Sequence, residues 1–227
     1  LLPQDTLSVV RRAVLLDNGA LRPGAGFLPS SWLPAEELLK AVRGTLRATT
    51  LRMGEYGNAS GYLPLRQALR VKMSTLGIEA PVEQIITTAN TVQAIDMLMR
   101  LLVKPGDTVL LDDPCYFTMH TNLAWHGAKV ITIRRGCAGM DLDAFEQLLI
   151  THRPVLYMTN NALHNPTGHS FTSAQVYRLV ELSHRYNFHI LEDDMYCDRQ
   201  QRRTPRLAAS GLDKVSDASR FSKTLTA

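Results

Sequence analysis

The sequence predicts an α/β fold, a mainly parallel sheet flanked by helices, and three observations predict it. From Gln84 onward, short apolar runs alternate with windows of helical length and period. The runs are apolar throughout, as strands covered on both faces must be. The windows between them are long enough for helical crossovers, which join neighbouring strands in parallel with right-handed sense.

The elements follow in order. Residues 1–33 are irregular, broken by Pro3, Pro23, Gly24, Gly26 and Pro29. Pro34 opens a helix to Thr49 with Leu38, Leu39, Val42 and Leu46 on one stripe. A loop over Gly54–Gly61 leads to a second helix, Leu63–Leu76, stopped by Gly77. Ile85–Thr88 reads as a strand and Thr91–Val103 as a helix ended by Lys104-Pro-Gly. Strands at Thr108–Asp112, Lys129–Ile133, Val155–Thr159 and Phe188–Glu192 alternate with helices at Phe117–His126, Leu142–Thr151 and Thr172–Asn187. No internal repeat and no flexible linker interrupts the series.

Composition narrows the function classes. Of 227 residues, 45% are hydrophobic and 20% charged, which excludes disordered and collagenous chains. The formal charge of +4 is mild and dispersed, so it does not argue for nucleic acid. The basic stretch Arg199–Arg206 has no interleaved aromatics and reads as a solvated loop. Cys115, Cys137 and Cys197 have neither pairing nor metal-like spacing, which suits the reduced thiols of a cytoplasmic protein. No apolar run approaches the roughly 20 residues of a membrane helix, so no membrane partner is expected. The chain starts without Met and stops soon after Lys223, as a piece of a longer protein would.

Open α/β sheets bind ligands beyond the carboxyl ends of their strands, so the residues after each strand matter most. Ile85–Thr88 is followed by a helix start at Thr91; Asp112 by Asp113-Pro-Cys-Tyr116; Thr159 by a loop holding Asn165-Pro-Thr-Gly168; Glu192 by Asp193-Asp-Met-Tyr196. A lysine, Lys223, lies beyond a weaker fifth segment. A helix start suits a phosphate, Tyr116 a flat ring, Asn165 and Tyr196 a ring oxygen, Asp193 a protonated ring nitrogen, and Lys223 an imine. Pyridoxal 5′-phosphate (PLP) requires this set. Taken singly, each residue has a bland alternative: a turn acid, a packing tyrosine, a surface lysine. Their conjunction at successive strand ends carries the reading.

The motifs Tyr56-Gly-Asn-Ala-Ser-Gly61, Leu65-Arg66, Thr88 to Ala94, Lys104-Pro-Gly-Asp107, Asp113-Pro-Cys-Tyr116, Asn165-Pro-Thr-Gly168, Glu192-Asp-Asp-Met-Tyr196 and Ser222-Lys-Thr-Leu225 resemble, in order and spacing, the fold-type I class I/II aminotransferases. The closest resemblance is to the aminotransferase-like domain of MocR-type GntR transcriptional regulators, which the opening Leu21–Pro34 also suggests. The resemblance implies residues 1–50 as a segment of small-domain or linker type and 51–227 as a partial, incomplete PLP-binding large domain. It implies Lys223 as the lysine bonded to the cofactor, with Tyr196 and Asp193 as its catalytic companions. Asp193 would meet the pyridine nitrogen, Asn165 and Tyr196 the ring oxygen, Tyr116 the ring face, and the backbone at Thr91 and Val92 the phosphate. Tyr56 would reach the phosphate of a partner subunit, hence a homodimer. The ligand would be an amino acid or amine, and DNA would be bound only through a separate N-terminal winged helix-turn-helix. Two further functions stay open: a genuine aminotransferase acting on an amino acid and a 2-oxo acid, and an inactive fragment.

The sequence departs from the family at three places. Asn90 stands where Gly is usual and would crowd the phosphate loop. Arg220 replaces a Ser, either as a substitute phosphate ligand or as a misplaced charge. Polar Ser216–Arg220 replaces an apolar strand, which predicts a weakened fifth strand. With no phosphate-binding Arg downstream of Lys223, weak cofactor affinity is expected, with a formed cradle and a poorly held lysine.

Overall fold

The computed structural model describes residues 28–47, 54–116, 118–136, 138–196, 198, 204–210, 213–221 and 224–225. Lys223 lies outside them, as do Phe117, Cys137 and Cys197. Helices α1 (Ala35–Arg47) and α2 (Leu63–Thr75) precede α3 (Thr91–Leu102). Then follow β1 (Thr108–Asp113), α4 (Thr118–Trp125), β2 (Lys129–Gly136), β3 (Gly139–Met140), α5 (Leu142–His152), β4 (Leu156–Thr159), α6 (Ser173–Tyr186), β5 (His189–Asp193) and β6 (Val215–Ala218).

One six-stranded sheet runs in the order β3-β2-β1-β4-β5-β6. Every pairing is parallel except the short β2–β3 hairpin. The chain leaves β1 outward to β2 and returns on the other side to β4. Strand order thus reverses between β1 and β4, which opens a crevice at their carboxyl ends.

Strand alternation assigns the faces. Val109, Leu111, Leu156, Met158, Leu191 and Ala218 point to one side and pack with Ile95 and Met99 of α3 and with Leu123 of α4. Leu110, Ile133, Tyr157 and Ile190 point to the other and pack with Phe145 and Leu149 of α5 and with Leu179 and Leu182 of α6. Burying each such side chain contributes about 1.5–3 kcal/mol. Helix α6 is fixed at both ends. Thr172 and Gln175 form a capping box at its start, and Asn187 closes it in the left-handed region at φ 56.

Two expectations need correction. Ile85–Thr88 forms no strand. Its backbone groups are satisfied elsewhere: the buried Arg66 guanidinium takes the carbonyls of Ile85 and Val82 at 2.7 and 2.6 Å, and Thr87 N–H donates to Ser60 O at 3.0 Å. Gly61, at φ +100, permits that approach, since a Cβ there would lie 1.7 Å from Thr87 Oγ1. Conversely, the polar fifth segment does form a strand. β6 pairs with β5 through Ile190↔Val215 to Asp193↔Ala218, because parallel ladder bonds need only backbone and inward Ala218 still reaches the core. The stripe Leu38, Leu39, Val42 and Leu46 of α1 is exposed, with no buried residue in that helix.

Candidate functional site

Helix α3 packs on the sheet through Ile95 and Met99 and enters β1 through the short turn 103–107, so it runs against β1 and its N-terminus faces the strands' carboxyl ends. Asn90 sits there as N-cap in extended backbone, φ −163. Its Oδ1 accepts from Gln93 N–H at 2.9 Å, and Gln93 Oε1 accepts from Ala89 N–H at 2.8 Å. The departure at position 90 is thus absorbed as a cap, worth about 1 kcal/mol, and its side chain folds back onto the helix. The cap uses the third N–H and leaves those of Thr91 and Val92 outside the helical ladder, at the positive end of the dipole. Thr91 Oγ1 is buried and has no hydrogen-bond partner; Val92 is exposed.

At the end of β5, alternation puts Asp193 on the α3 side, with Leu191. It is buried, and its Oδ1 has no hydrogen-bond partner. Burial pushes its carboxyl up to about 6; the Arg220 guanidinium opposes this and Asp194 adds to it. Tyr196, half-buried, has its phenol raised by burial, opposed by Arg220 and reinforced by Asp193 and Tyr116. Tyr196 thus feels the charges of Arg220, Asp193 and Tyr116, and Asp193 feels that of Arg220. Arg220 also lays a guanidinium nitrogen on Met195 Sδ, and its Nε is buried without a partner. Its charge therefore acts on the Asp193 and Tyr196 end of the crevice. Beside Tyr116, Cys115 is pushed up to about 12 by burial and by Asp112 and Asp113, so the thiol rather than the thiolate is favoured.

Asn165 lies half-buried on the loop after β4 and precedes a cis peptide bond to Pro166. That loop is gripped from behind by a residue that sequence reasoning passed over. Arg135, fully buried on β2, donates to Asp112 Oδ2 (2.9 Å), Thr159 Oγ1 (2.9 Å) and the carbonyls of Asn160 (3.0 Å), Asn161 (3.3 Å) and His169 (3.4 Å). Its guanidinium also stacks 3.9 Å from the Phe171 ring centroid. Asp112 further accepts from Tyr157 Oη (2.6 Å) and Thr159 Oγ1 (2.7 Å), and faces His164 Nε2 at 3.4 Å. Burial opposes ionisation of Asp112, yet His164 and Arg135 together hold its carboxyl below the usual range. Asn160, also missed, joins Asn165 to β5: its amide donates to Asp193 O and accepts from Asn165 N–H at 2.8 Å. The available signal was a run of polar residues, 159–161, inside a stretch otherwise fit for burial.

On the other face of β5 lies a second unforeseen cluster. Glu192 and Asp194 share that face by alternation, and Asp217 sits opposite Glu192 in register. Arg206 pairs with Asp194 at 3.0 Å, and Glu192 Oε2 accepts from Leu207 N–H at 3.0 Å. Burial and Asp194 push Glu192 up to about 7, against Arg206. Burial, Asp194 and Glu192 raise Asp217 well above its usual range.

Of the expected site residues, Thr91, Asp193, Tyr196, Tyr116 and Asn165 gather at the strand ends, with Val92 at the same helix start. Tyr56 does not: it is fully exposed on its loop. No group of His, Cys, Asp or Glu among the described residues is arranged to hold a metal ion. No helix among them is long and apolar enough to cross a membrane. The residues fit PLP on two observations, the unpartnered Asp193 Oδ1 and the unpartnered Thr91 Oγ1, suited to a ring N–H and a phosphate oxygen respectively.

Residues 14–217 match the family described as aminotransferase class I and II. An HTH-type transcriptional regulator of Escherichia coli, YdcR, of uncharacterised function, is 28% identical over 211 residues, covering 89% of this chain and 44% of the regulator. The 2-aminoadipate transaminase of Thermus thermophilus is 30% identical over 180 residues, covering 77% of this chain and 44% of the enzyme. The crystal structure of LysN from Thermus thermophilus, an alpha-aminoadipate aminotransferase complexed with N-(5′-phosphopyridoxyl)-L-leucine, superposes with a TM-score of 0.82 at 25% identity. That match covers 99% of this chain and 56% of LysN. The chain thus spans about half the length of these relatives.

Proposed function

The chain belongs to the class I and II aminotransferase family, and from that premise we propose that it is a PLP-binding domain that senses an amino acid or amine for a MocR/GntR-type transcriptional regulator. DNA binding would rest with a separate N-terminal domain, and the location would be cytoplasmic. The observation that carries the reading is the buried, unpartnered Asp193 Oδ1 on the sheet face against which α3, opened by Thr91, packs. When bound, PLP supplies an electron-withdrawing ring able to stabilise a carbanion at a substrate Cα. Thr91 and Val92 would hold the phosphate with backbone N–H groups and the Thr91 hydroxyl. Tyr116 would cover the ring. Asn165 and Tyr196 would donate to the ring oxygen, and Asp193 would keep a proton on the ring nitrogen. Lys223 is the residue proposed to bond the cofactor and to move protons. Tyr56, exposed here, would meet the site of a second copy, and residues 51–227 would form the cofactor domain behind the 1–50 segment.

Arg220 favours sensing over turnover. Its positive charge opposes the rise in the Asp193 carboxyl and would compete with a protonated ring for that carboxylate. A ring less firmly protonated withdraws electrons less well, which disfavours carbanion chemistry but not binding. The second reading, a genuine aminotransferase, is favoured by the 2-aminoadipate transaminase relative. Titration with PLP tests the proposal. A visible absorbance band that saturates only at high PLP concentration, absent in Lys223→Ala and altered by an amino acid without formation of a 2-oxo acid, is expected. Sustained 2-oxo acid production would establish the enzyme instead, and the lack of any PLP-specific band at high PLP concentration would leave the inactive fragment as the reading.

A further inference from the structure

We infer that Asn160 is a positioning residue that locks the Asn165 loop and the end of β5 in one fixed relation. Its functional consequence rests on the cofactor reading above; its geometry does not. Asn160 follows β4 directly and is buried at 4% exposure. By strand alternation it shares the α3 face with Met158 and, across the ladder, with Leu191 and Asp193. Its Oδ1 accepts from Asn165 N–H at 2.8 Å while its Nδ2 donates to Asp193 O. Its own carbonyl is pinned by Arg135 Nη1 at 3.0 Å. One amide therefore spans two residues from adjacent strand ends, proposed to meet the oxygen side and the nitrogen side of one ring.

The chemistry calls for an amide. The bridge needs a donor and an acceptor on one short planar group, which Asn provides. A carboxylate loses the donor and sets negative charge against the Asp193 carbonyl. A serine hydroxyl is too short to span both backbone groups. A leucine leaves the buried Asp193 C=O and the half-buried Asn165 N–H unpaired. Since both bonds meet in one side chain, a shift of either strand end is transmitted to the other. Asn160 would thus tune the protonation of a bound ring without touching it.

The test uses Asn160→Leu, with Asn160→Ser as the milder variant should the first fail to fold, and Leu149→Ala as a remote destabilised control. Amide exchange of the chain without cofactor reads the clamp. Peptides covering 160–168 and 190–196 should exchange faster together, by about tenfold or more, while those of α5 do not. PLP itself is the second probe. The pH midpoint of its visible band should move by about half a unit or more in the Asn160 variants and stay in place in Leu149→Ala. Unchanged exchange in both peptides overturns the clamp. Faster exchange with an unmoved midpoint overturns the positioning role and leaves Asn160 merely structural. A wild-type chain that takes up no PLP overturns the cofactor reading, and the exchange comparison still decides the clamp.

Discussion

Two clusters of buried charge lie on the α5–α6 face of the sheet, and they are built on opposite terms. At β1, β2 and β4, Arg135 serves Asp112 together with a hydroxyl and three carbonyls, so charge is balanced and Asp112 stays ionised. At β5 and β6, the carboxyls of Glu192, Asp194 and Asp217 share Arg206, and two of them are raised rather than lowered. Burial is the same in kind at both places. The number of donors per carboxylate decides whether a buried acid keeps its charge or takes up a proton. The first cluster is a permanent scaffold behind the Asn165 loop. The second responds to pH, directly beneath Asp193.

The sharpest way to break this contrast is to remove each arginine. Arg135→Met should cost about 3–5 kcal/mol, since it strands a charged Asp112 and several carbonyls. Denaturant unfolding should show a large loss at both pH 5 and pH 8, because the carbonyls of Asn160, Asn161 and His169 left unpaired do not titrate. Arg206→Met should cost clearly less at pH 5 than at pH 8, because Glu192 and Asp217 can neutralise themselves by protonation. Equal pH dependence in the two variants would erase the distinction.

Asp217→Asn should act in the opposite direction. Removing a like charge opposite Glu192 should stabilise the chain at pH 8 by about 1–2 kcal/mol, since one pH unit of displaced titration corresponds to about 1.4 kcal/mol. That gain corresponds to a Tm rise of roughly 2–8 °C for a chain of this size. A lower Tm at pH 8 would show that Asp217 is held as a needed anion.

The wild-type pH profile follows from the same signs. Glu192 titrates near 7 when folded and near 4.3 when unfolded. The folded state therefore binds more protons in that window, and the stabilisation present below it is lost as pH rises toward 7. Asp112 works the other way: its contribution is present above its unfolded value and lost as pH falls below it. Thermal unfolding should thus give falling stability from about pH 4.5 to 7, a slope that Glu192→Gln flattens. The smallest effect belongs to a site outside both clusters. Asn90→Ala should cost about 0.5–2 kcal/mol by loss of the α3 cap, equally at both pH values.

Apart from the two-residue β3, the elements from α3 to β5 were legible in the sequence because their signals are local. Apolar runs mark strands, and Thr172 with Gln175 writes a capping box into four residues. The strand expected at Ile85–Thr88 failed because pairing is not local: Arg66 and Ser60 satisfy that backbone before any strand does. β6 forms, four residues long, for the same reason, since a ladder is made by backbone and polar side chains do not prevent it. The placement of Asp193, Asn165, Tyr116 and Tyr196 after strands and of Thr91 at a helix start was readable because motif order fixes it.

What the sequence by itself determined is the layered α/β fold and the set of polar groups at its strand ends. Only the tertiary structure decided how those groups are wired. Arg135 and Asp112 are 23 residues apart and Glu192 and Asp217 are 25, yet each pair is joined by neighbouring strands. Whether a buried carboxyl is charged depends on the donors that such pairing delivers, and donors from other strands leave no periodic trace along the chain. Asn160 shows the same limit. Its type suggests a turn, and only the meeting of β4 with β5 makes it a bridge between Asn165 and Asp193.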